Sequence, residues 1–166
     1  MSLRPDYVAC WVYRLTDAGT LELLLIRRAP DEFMAGMWQC VTGSLEDGER
    51  IAPAALREVV EETGFVPDQI EAFYDLDLVN SFHEPSADAV LVEAVFAARV
   101  AADAQPVLSP EHDDLRWVAP AEAATLVVWP AYHVAIERIS TYLLDPTRSP
   151  WFELTLDGRR VVGGVG

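Results

Sequence analysis

The chain has 166 residues, 51% of them apolar and 23% charged, which is the balance of a folded domain and not of a disordered segment. Twelve Lys and Arg stand against 27 Asp and Glu, a net charge of −15. This excludes the basic surface that non-specific binding to nucleic acid or to an anionic membrane requires, and it leaves open a small phosphorylated substrate that arrives with a cation.

A chain of this length predicts one domain. It has no apolar run of 18 residues, so no membrane span is expected, and residues 1–6 lack the apolar core of a signal peptide. Cys10 and Cys40 lie in apolar stretches without a CxxC pair. The expectation is two buried, reduced thiols in a cytoplasmic protein.

In chain order, residues 7–15 and 21–27 are β-rich runs split by Thr16–Thr20 and predict a hairpin. A loop with Pro30 and Gly36 leads to a short strand over 38–42, and a glycine- and acid-rich loop covers 43–49. Residues 50–63 have helical periodicity and are stopped by Gly64 and Pro67. Strands are predicted over 71–79 and 88–100, with Phe82, His83 and the segment 84–87 in the connection between them. A strand over 114–118 follows, then helices over 121–126 and 131–144, the second with Pro130 in its first turn. In the tail, Asp157-Gly158 between β-like runs predicts a hairpin over 151–162. Strands, one helix, strands, then helices make an α+β pattern. Residues 1–145 read as one domain, and 146–166 as an extension that either joins it or reaches a second copy.

The helix over 52–64 carries an excess of acid. On a helical wheel Glu58, Glu61 and Glu62 fall within a stripe about 100° wide, with Ala52, Leu56, Val59 and Val60 on a separate apolar arc taken as the core face. Ala54 and Ala55 flank the stripe and allow another backbone segment to approach. Such like charges repel, and a bound divalent cation relieves that. Carboxylates without nearby Cys or paired His favour a hard ion, Mg²⁺ or Mn²⁺. Arg57 supplies a donor fork that can pin a carboxylate. A solvated acidic face is the bland reading of these residues; the loop before the helix shifts the balance.

From Gly43 the sequence runs glycine, five residues, Glu49, seven residues, Arg57-Glu58-Val59, one residue, Glu61-Glu62, one residue, Gly64-Phe65. This resembles the Nudix box (residues 43–65), with every specified position matched and Phe65 a mild variation. The segments Trp38-Gln39, Val41–Ser44, Arg27-Arg28, Glu111-His112 and Trp117 are further similar to bacterial dihydroneopterin triphosphate pyrophosphatases, a MutT-like branch. The resemblance implies an α/β/α sandwich around a mixed sheet and Mg²⁺- or Mn²⁺-dependent hydrolysis of a diphosphate linkage.

Carried over by position, Glu58 and Glu62 would be metal ligands, Glu61 a ligand or a base, and the Gly43 carbonyl and Glu111 further ligands. Glu49 and Arg57 would form a supporting ion pair in the catalytic machinery. Arg27 and Thr42 match substrate-contacting positions, and Trp38 and Phe82 are candidates to border the substrate. The base stays open among Glu61, Glu58 and Glu111. His112 and His133 read as structural or surface residues.

The implied reaction cleaves a nucleoside triphosphate or a similar compound, such as dihydroneopterin triphosphate, to monophosphate and pyrophosphate. The alternatives are a Nudix-fold ligand-binding module without turnover, or an enzyme for nucleoside diphosphate sugars or oxidised nucleotides. The implied partners are a small nucleotide-like substrate and, through the tail, a second copy of the chain; nucleic acid and membrane are not expected.

Overall fold

A computed structural model describes residues 1–163. The chain order is β1 (Tyr7–Leu15), β2 (Leu21–Arg28), β3 (Trp38–Gln39), β4 (Val41–Ser44), α1 (Ile51–Thr63), β5 (Ile70–Glu84), β6 (Ala89–Val100), β7 (His112–Val118), α2 (Pro120–Leu126), α3 (Pro130–Arg138), α4 (Ser149–Phe152) and β8 (Glu153–Leu154). A short 3₁₀ turn precedes β5, and a π-helical turn over Ile139–Leu143 follows α3.

The strands form one mixed sheet. β1 runs parallel to β6 and antiparallel to β2 and β4, and β5 pairs antiparallel with β6 and with β8. β1 is apolar nearly throughout because both its faces are covered. Ala9, Trp11 and Tyr13 enter a core shared with Ala123, Tyr132 and Ile136 of α2 and α3. Val8, Cys10 and Val12 enter a second core shared with Ala55, Leu56 and Val59 of α1. The architecture is thus α+β, an α/β/α sandwich on a mixed sheet. No helix among the described residues is long and apolar enough to cross a membrane, and both cysteines are buried free thiols.

One irregularity positions the site. β1 and β2 pair only over Tyr13–Leu15 and Leu21–Leu23. Beyond that they part: β3 pairs with β2 at Ile26 and Arg27, and β4 pairs with β1 over Tyr7–Cys10. The β3–β4 segment therefore fills a fork in the sheet, crossing it at Cys40, which is fully buried. Gly43, opposite Val8, faces α1 from this fork.

Several expected boundaries move. β5 continues to Glu84, so Phe82 and His83 lie on a strand and not in a turn, because β6 offers partners as far as Ala89. The predicted helix over 131–144 narrows to α3, and its last turn widens to a π turn where the Ser140 hydroxyl takes the Ile136 carbonyl. Trp151 and Phe152 end α4, which has Pro150 in its first turn. The tail turn does form, with Gly158 at φ 84° and the Thr155 amide donating to Arg159. Its arms are joined by the Leu154–Arg160 bridge and by the Val161 amide donating to the Glu153 carbonyl.

α1 is rotated from its wheel reading. Ala54, Ala55, Leu56, Glu58, Val59, Glu62 and Thr63 are its buried residues, whereas Val60 is 37% exposed and Ala52 only partly buried. The buried arc is turned so that two of the three glutamates lie under the sheet fork, and small Ala54 and Ala55 let the sheet approach them.

Candidate active site

Gly43 and Glu58 are in direct contact. A Cβ built on residue 43 would lie 2.0 Å from the Glu58 carboxyl carbon, so only glycine admits that carboxylate against the β4 backbone. Arg57 fixes the other side of the carboxylate. Its Nε and Nη2 donate to the two oxygens of Glu49 at 2.7 and 3.1 Å, its Nη1 donates to Glu58 at 2.7 Å and to Glu61 at 3.2 Å, and Nη2 also donates to the Ser44 carbonyl. Arg4 in turn donates to the backbone carbonyls of Glu46 and Glu49, which ties down the loop between β4 and α1. Glu49 and Arg57 thus form the ion pair that the resemblance implies.

The C-terminal end of α1 brings in Glu111. Gly64 adopts φ 69°, and its amide donates to Val60, a left-handed helix stop. The released carbonyls of Thr63 and Glu62 accept from the Val107 and Ser109 amides at 2.7 and 3.3 Å. The loop after β6 is thereby fastened to the helix end two residues before Glu111. The Glu111 carbonyl also accepts from Ala29 at the end of β2. Donor atoms of Glu62, Glu111 and His112 then lie within 4.8 Å of one another.

The electrostatics follow from this crowding. Glu62 is 3% exposed, and burial, with the charges of Glu58 and Glu111, pushes its carboxyl up to about 8. Burial also raises Glu58, against the pull of Arg57. Glu49 is held below the usual carboxylate range by Arg57. One Glu62 oxygen, Oε2, is buried without a hydrogen-bond partner among the described residues. An unpartnered buried carboxylate oxygen is costly. Glu58 and Glu111 place their charges beside it, Glu111 with a donor atom within 4.8 Å of one of Glu62. A glycine cradle that a side chain would fill seats Glu58. Together these are the donor set of a hard divalent cation. The residues present fit Mg²⁺ or Mn²⁺.

The remaining expected residues spread around this centre. Glu61 is exposed at the solvent edge of α1, held by Arg57. Thr42 is half-buried, with its amide donating to Glu62 and its hydroxyl to Glu93. Arg27, next to last in β2, donates from its Nε to Asp113 at 2.8 Å. The guanidinium carbons of Arg27 and Arg116 lie 5.6 and 4.8 Å from the centroid of the Trp38 ring, so its faces meet cations of the chain itself. Phe82 lies further along the sheet, its ring 6.2 Å from that of Tyr7.

In the sequence His112 reads only as a structural or surface residue, and neither Gln39 nor Glu93 is singled out as a site residue. His112 is buried, its Nε2 accepts from the Gln39 amide at 3.0 Å, and burial brings its ring down to about 4, so it is neutral. Gln39 is visible only as that partner. Glu93, a lone acid in the apolar strand AVLVEAVFAARV, is 8% exposed. An isolated carboxylate in a run otherwise fit for a buried strand was the available signal.

A sequence model of the NUDIX domain matches residues 4–138. An RNA pyrophosphohydrolase of Dinoroseobacter shibae is 31% identical over 145 residues, covering 76% of this chain and 89% of that protein. An octanoyltransferase of Myxococcus xanthus is 42% identical over 99 residues, but the match spans only 26% of that protein and 58% of this chain. Among solved structures, the Escherichia coli dihydroneopterin triphosphate pyrophosphohydrolase is 28% identical with a TM-score of 0.66, covering 81% of this chain and 94% of that one. A NUDIX hydrolase structure from Listeria monocytogenes is 27% identical with a TM-score of 0.69, covering 82% and 92%. With the domain model spanning most of the sequence and the fold matched over four-fifths of it, the chain belongs to the Nudix pyrophosphohydrolase family.

Proposed function

We propose that the chain cleaves the diphosphate linkage of a nucleoside triphosphate or a similar compound, with dihydroneopterin triphosphate the leading candidate, to monophosphate and pyrophosphate. The observation that carries this is the meeting of Glu62 with Glu111 at the end of α1, beside Glu58, which lies against the Gly43 backbone. The likeness to the Escherichia coli enzyme supports the pterin compound. The net charge of −15 favours a small substrate over a long polyanion.

Glu58, Glu62, Glu111 and the Gly43 carbonyl would hold Mg²⁺ or Mn²⁺, which when bound neutralises phosphate oxygens and acidifies water. Arg57 keeps Glu58 aimed at the centre and fixes the loop carrying Glu49. Glu61, Glu58 and Glu111 are the carboxylates from which the base is drawn: Glu61 and Glu111 are open to solvent, and Glu58 lies beside the charges of both. Arg27 at the end of β2 offers its remaining guanidinium N–H groups to phosphate. Trp38 borders the approach through its arginine-capped ring, and Thr42 and Phe82 border the rest of the substrate.

The test is a panel of nucleoside triphosphates, dihydroneopterin triphosphate, ADP-ribose and dinucleoside polyphosphates with Mg²⁺, scoring pyrophosphate separately from orthophosphate. Release of pyrophosphate from one compound, abolished by Glu62→Gln, supports the reading. Binding without turnover for every compound would favour a ligand-binding module instead.

A further inference from the structure

The glutamate centre lies on the α1 side of the sheet. On the opposite face, at the end that α2 and α3 leave partly open, β6 carries Glu93 level with Tyr7 of β1 and Asn80 of β5. The side chains of Tyr7, Thr42, Asn80, Phe82 and Leu91 around it are all half-buried, while Glu93 itself is buried. The Thr42 hydroxyl donates to Glu93 Oε2 at 3.3 Å, and the Asn80 side chain is its second hydrogen-bond partner. The rings of Tyr7 and Phe82 stand 6.2 Å apart at 44°.

This is an uncommon place for a carboxylate. An apolar residue there would continue the row of Val95 and Ala97, and a buried acid costs stability unless it is hydrogen-bonded. Thr42 links the two faces, since its amide meets Glu62 and its hydroxyl meets Glu93. Thr42 thus stands between the glutamate centre and Glu93, which itself lies beside two aromatic side chains.

We propose that Glu93 is a specificity-determining residue, accepting the adjacent ring N–H and amino group of a 2-amino-4-oxopyrimidine edge, as found in guanine and in pterins. The two oxygens of a carboxylate match that pair of parallel donors. An adenine or cytosine edge presents a donor beside an acceptor, and a uracil edge has one donor between acceptors, so neither satisfies both oxygens. The proposal rests on the hydrolase reading above for its substrate class, but Glu93 can be tested without turnover.

Two measurements separate the outcomes. The first is equilibrium binding of GMP, IMP and AMP with chelator present; IMP is GMP without the amino group. GMP is expected to bind at least about tenfold tighter than IMP, with Glu93→Gln bringing the two within about twofold. The second is kcat/KM for GTP, ITP, ATP and dihydroneopterin triphosphate with Mg²⁺, where the GTP-to-ITP ratio is expected to collapse in the variant. The larger value between GTP and dihydroneopterin triphosphate tells guanine from pterin.

A residue that only supports the sheet would lower all substrates alike and leave the ratios unmoved, which overturns the proposal. A wild-type GMP-to-IMP ratio near one overturns it too, and needs no variant. Selective binding that Glu93→Gln erases, without any turnover, upholds Glu93 and refutes the hydrolase reading.

Discussion

Gly43 lies against the carboxylate of Glu58 so closely that a methyl group on residue 43 would sit 2.0 Å from the carboxyl carbon. Gly43→Ala must push Glu58 out of the centre or push β4 away from α1. The expected result is a fall of about 10²-fold or more in kcat/KM, with a stability loss of about 1–3 kcal/mol from overpacking. Steady-state kinetics beside a denaturant melt would check it. Full activity in the alanine variant would remove Glu58 from the centre.

Arg57 makes a two-point contact with Glu49 and a further one with Glu58. Lysine keeps the charge but cannot reproduce the planar fork. Arg57→Lys is expected to lower kcat about 10- to 100-fold, with a smaller effect on stability because the guanidinium is partly open to solvent. A lysine variant as active as the parent would show that charge alone suffices at this position.

The contact of Gly43 with Glu58 exists only once β4 is laid against α1. The Glu49–Arg57 pair was readable in the sequence because the box sets its spacing, and β1, β2 and α1 were readable from their apolar runs. The rotation of α1 was not. A wheel assigns Val60 to the core by its hydropathy, whereas the helix buries Glu58 and Glu62 beneath the fork and leaves Val60 outside. Nor could local pattern show the end of β5, since NSFHE reads as polar punctuation until β6 supplies its hydrogen-bond partners. Glu93 and His112 take their surroundings from strands distant in sequence, so their burial exists only after the sheet closes.

Glu62 gives a pH dependence with a definite sign. Its folded-state value, about 8, lies above the ordinary 4.5 of a free glutamate. Ionisation therefore opposes folding: the protonated form is tolerated below about 4.5, and stability is progressively lost as pH rises toward 8. In chelator, the melting temperature should fall across that window, and Glu62→Gln should flatten the slope. Mg²⁺ competes with the proton, so its stabilising effect should grow with pH over the same range. Thermal melts with and without Mg²⁺ at several pH values test both; a flat profile in the parent protein would contradict the burial of an ionisable Glu62.

Gly64 couples the helix end to Glu111. Its φ of 69° disfavours any side chain, and a Cβ there would meet the Val107 carbonyl at 3.2 Å. Gly64→Ala should cost about 1–2 kcal/mol through backbone strain alone. It should also loosen the Val107 and Ser109 hydrogen bonds that carry Glu111 toward Glu62. The expected signature is weaker Mg²⁺ binding together with the lower melting temperature. A stability loss with unchanged Mg²⁺ affinity would detach Glu111 from the metal set.

The tail supplies the sheet edge beside β5. Leu154 is 7% exposed in the α1-side core, Phe152 packs against the α2–α3 core, and Arg160 meets Asp75 at 3.2 Å. Gly158 comes close to the first turn of α1, where a Cβ would meet Ala52 at 2.9 Å. Among the described residues, those beyond Asp145 bury apolar surface and make no hydrogen bond or ion pair to the carboxylates of the centre. Removing them should cost about 2–5 kcal/mol, the range of losing a large core side chain, and uncover the edge of β5 to association. Mg²⁺ binding should survive wherever the shortened chain stays folded. Calorimetric Mg²⁺ titration of the truncated protein at low temperature, with light scattering to follow association, separates the two effects. Loss of Mg²⁺ binding in a folded, monomeric truncation would mean that the tail helps shape the centre through the start of α1.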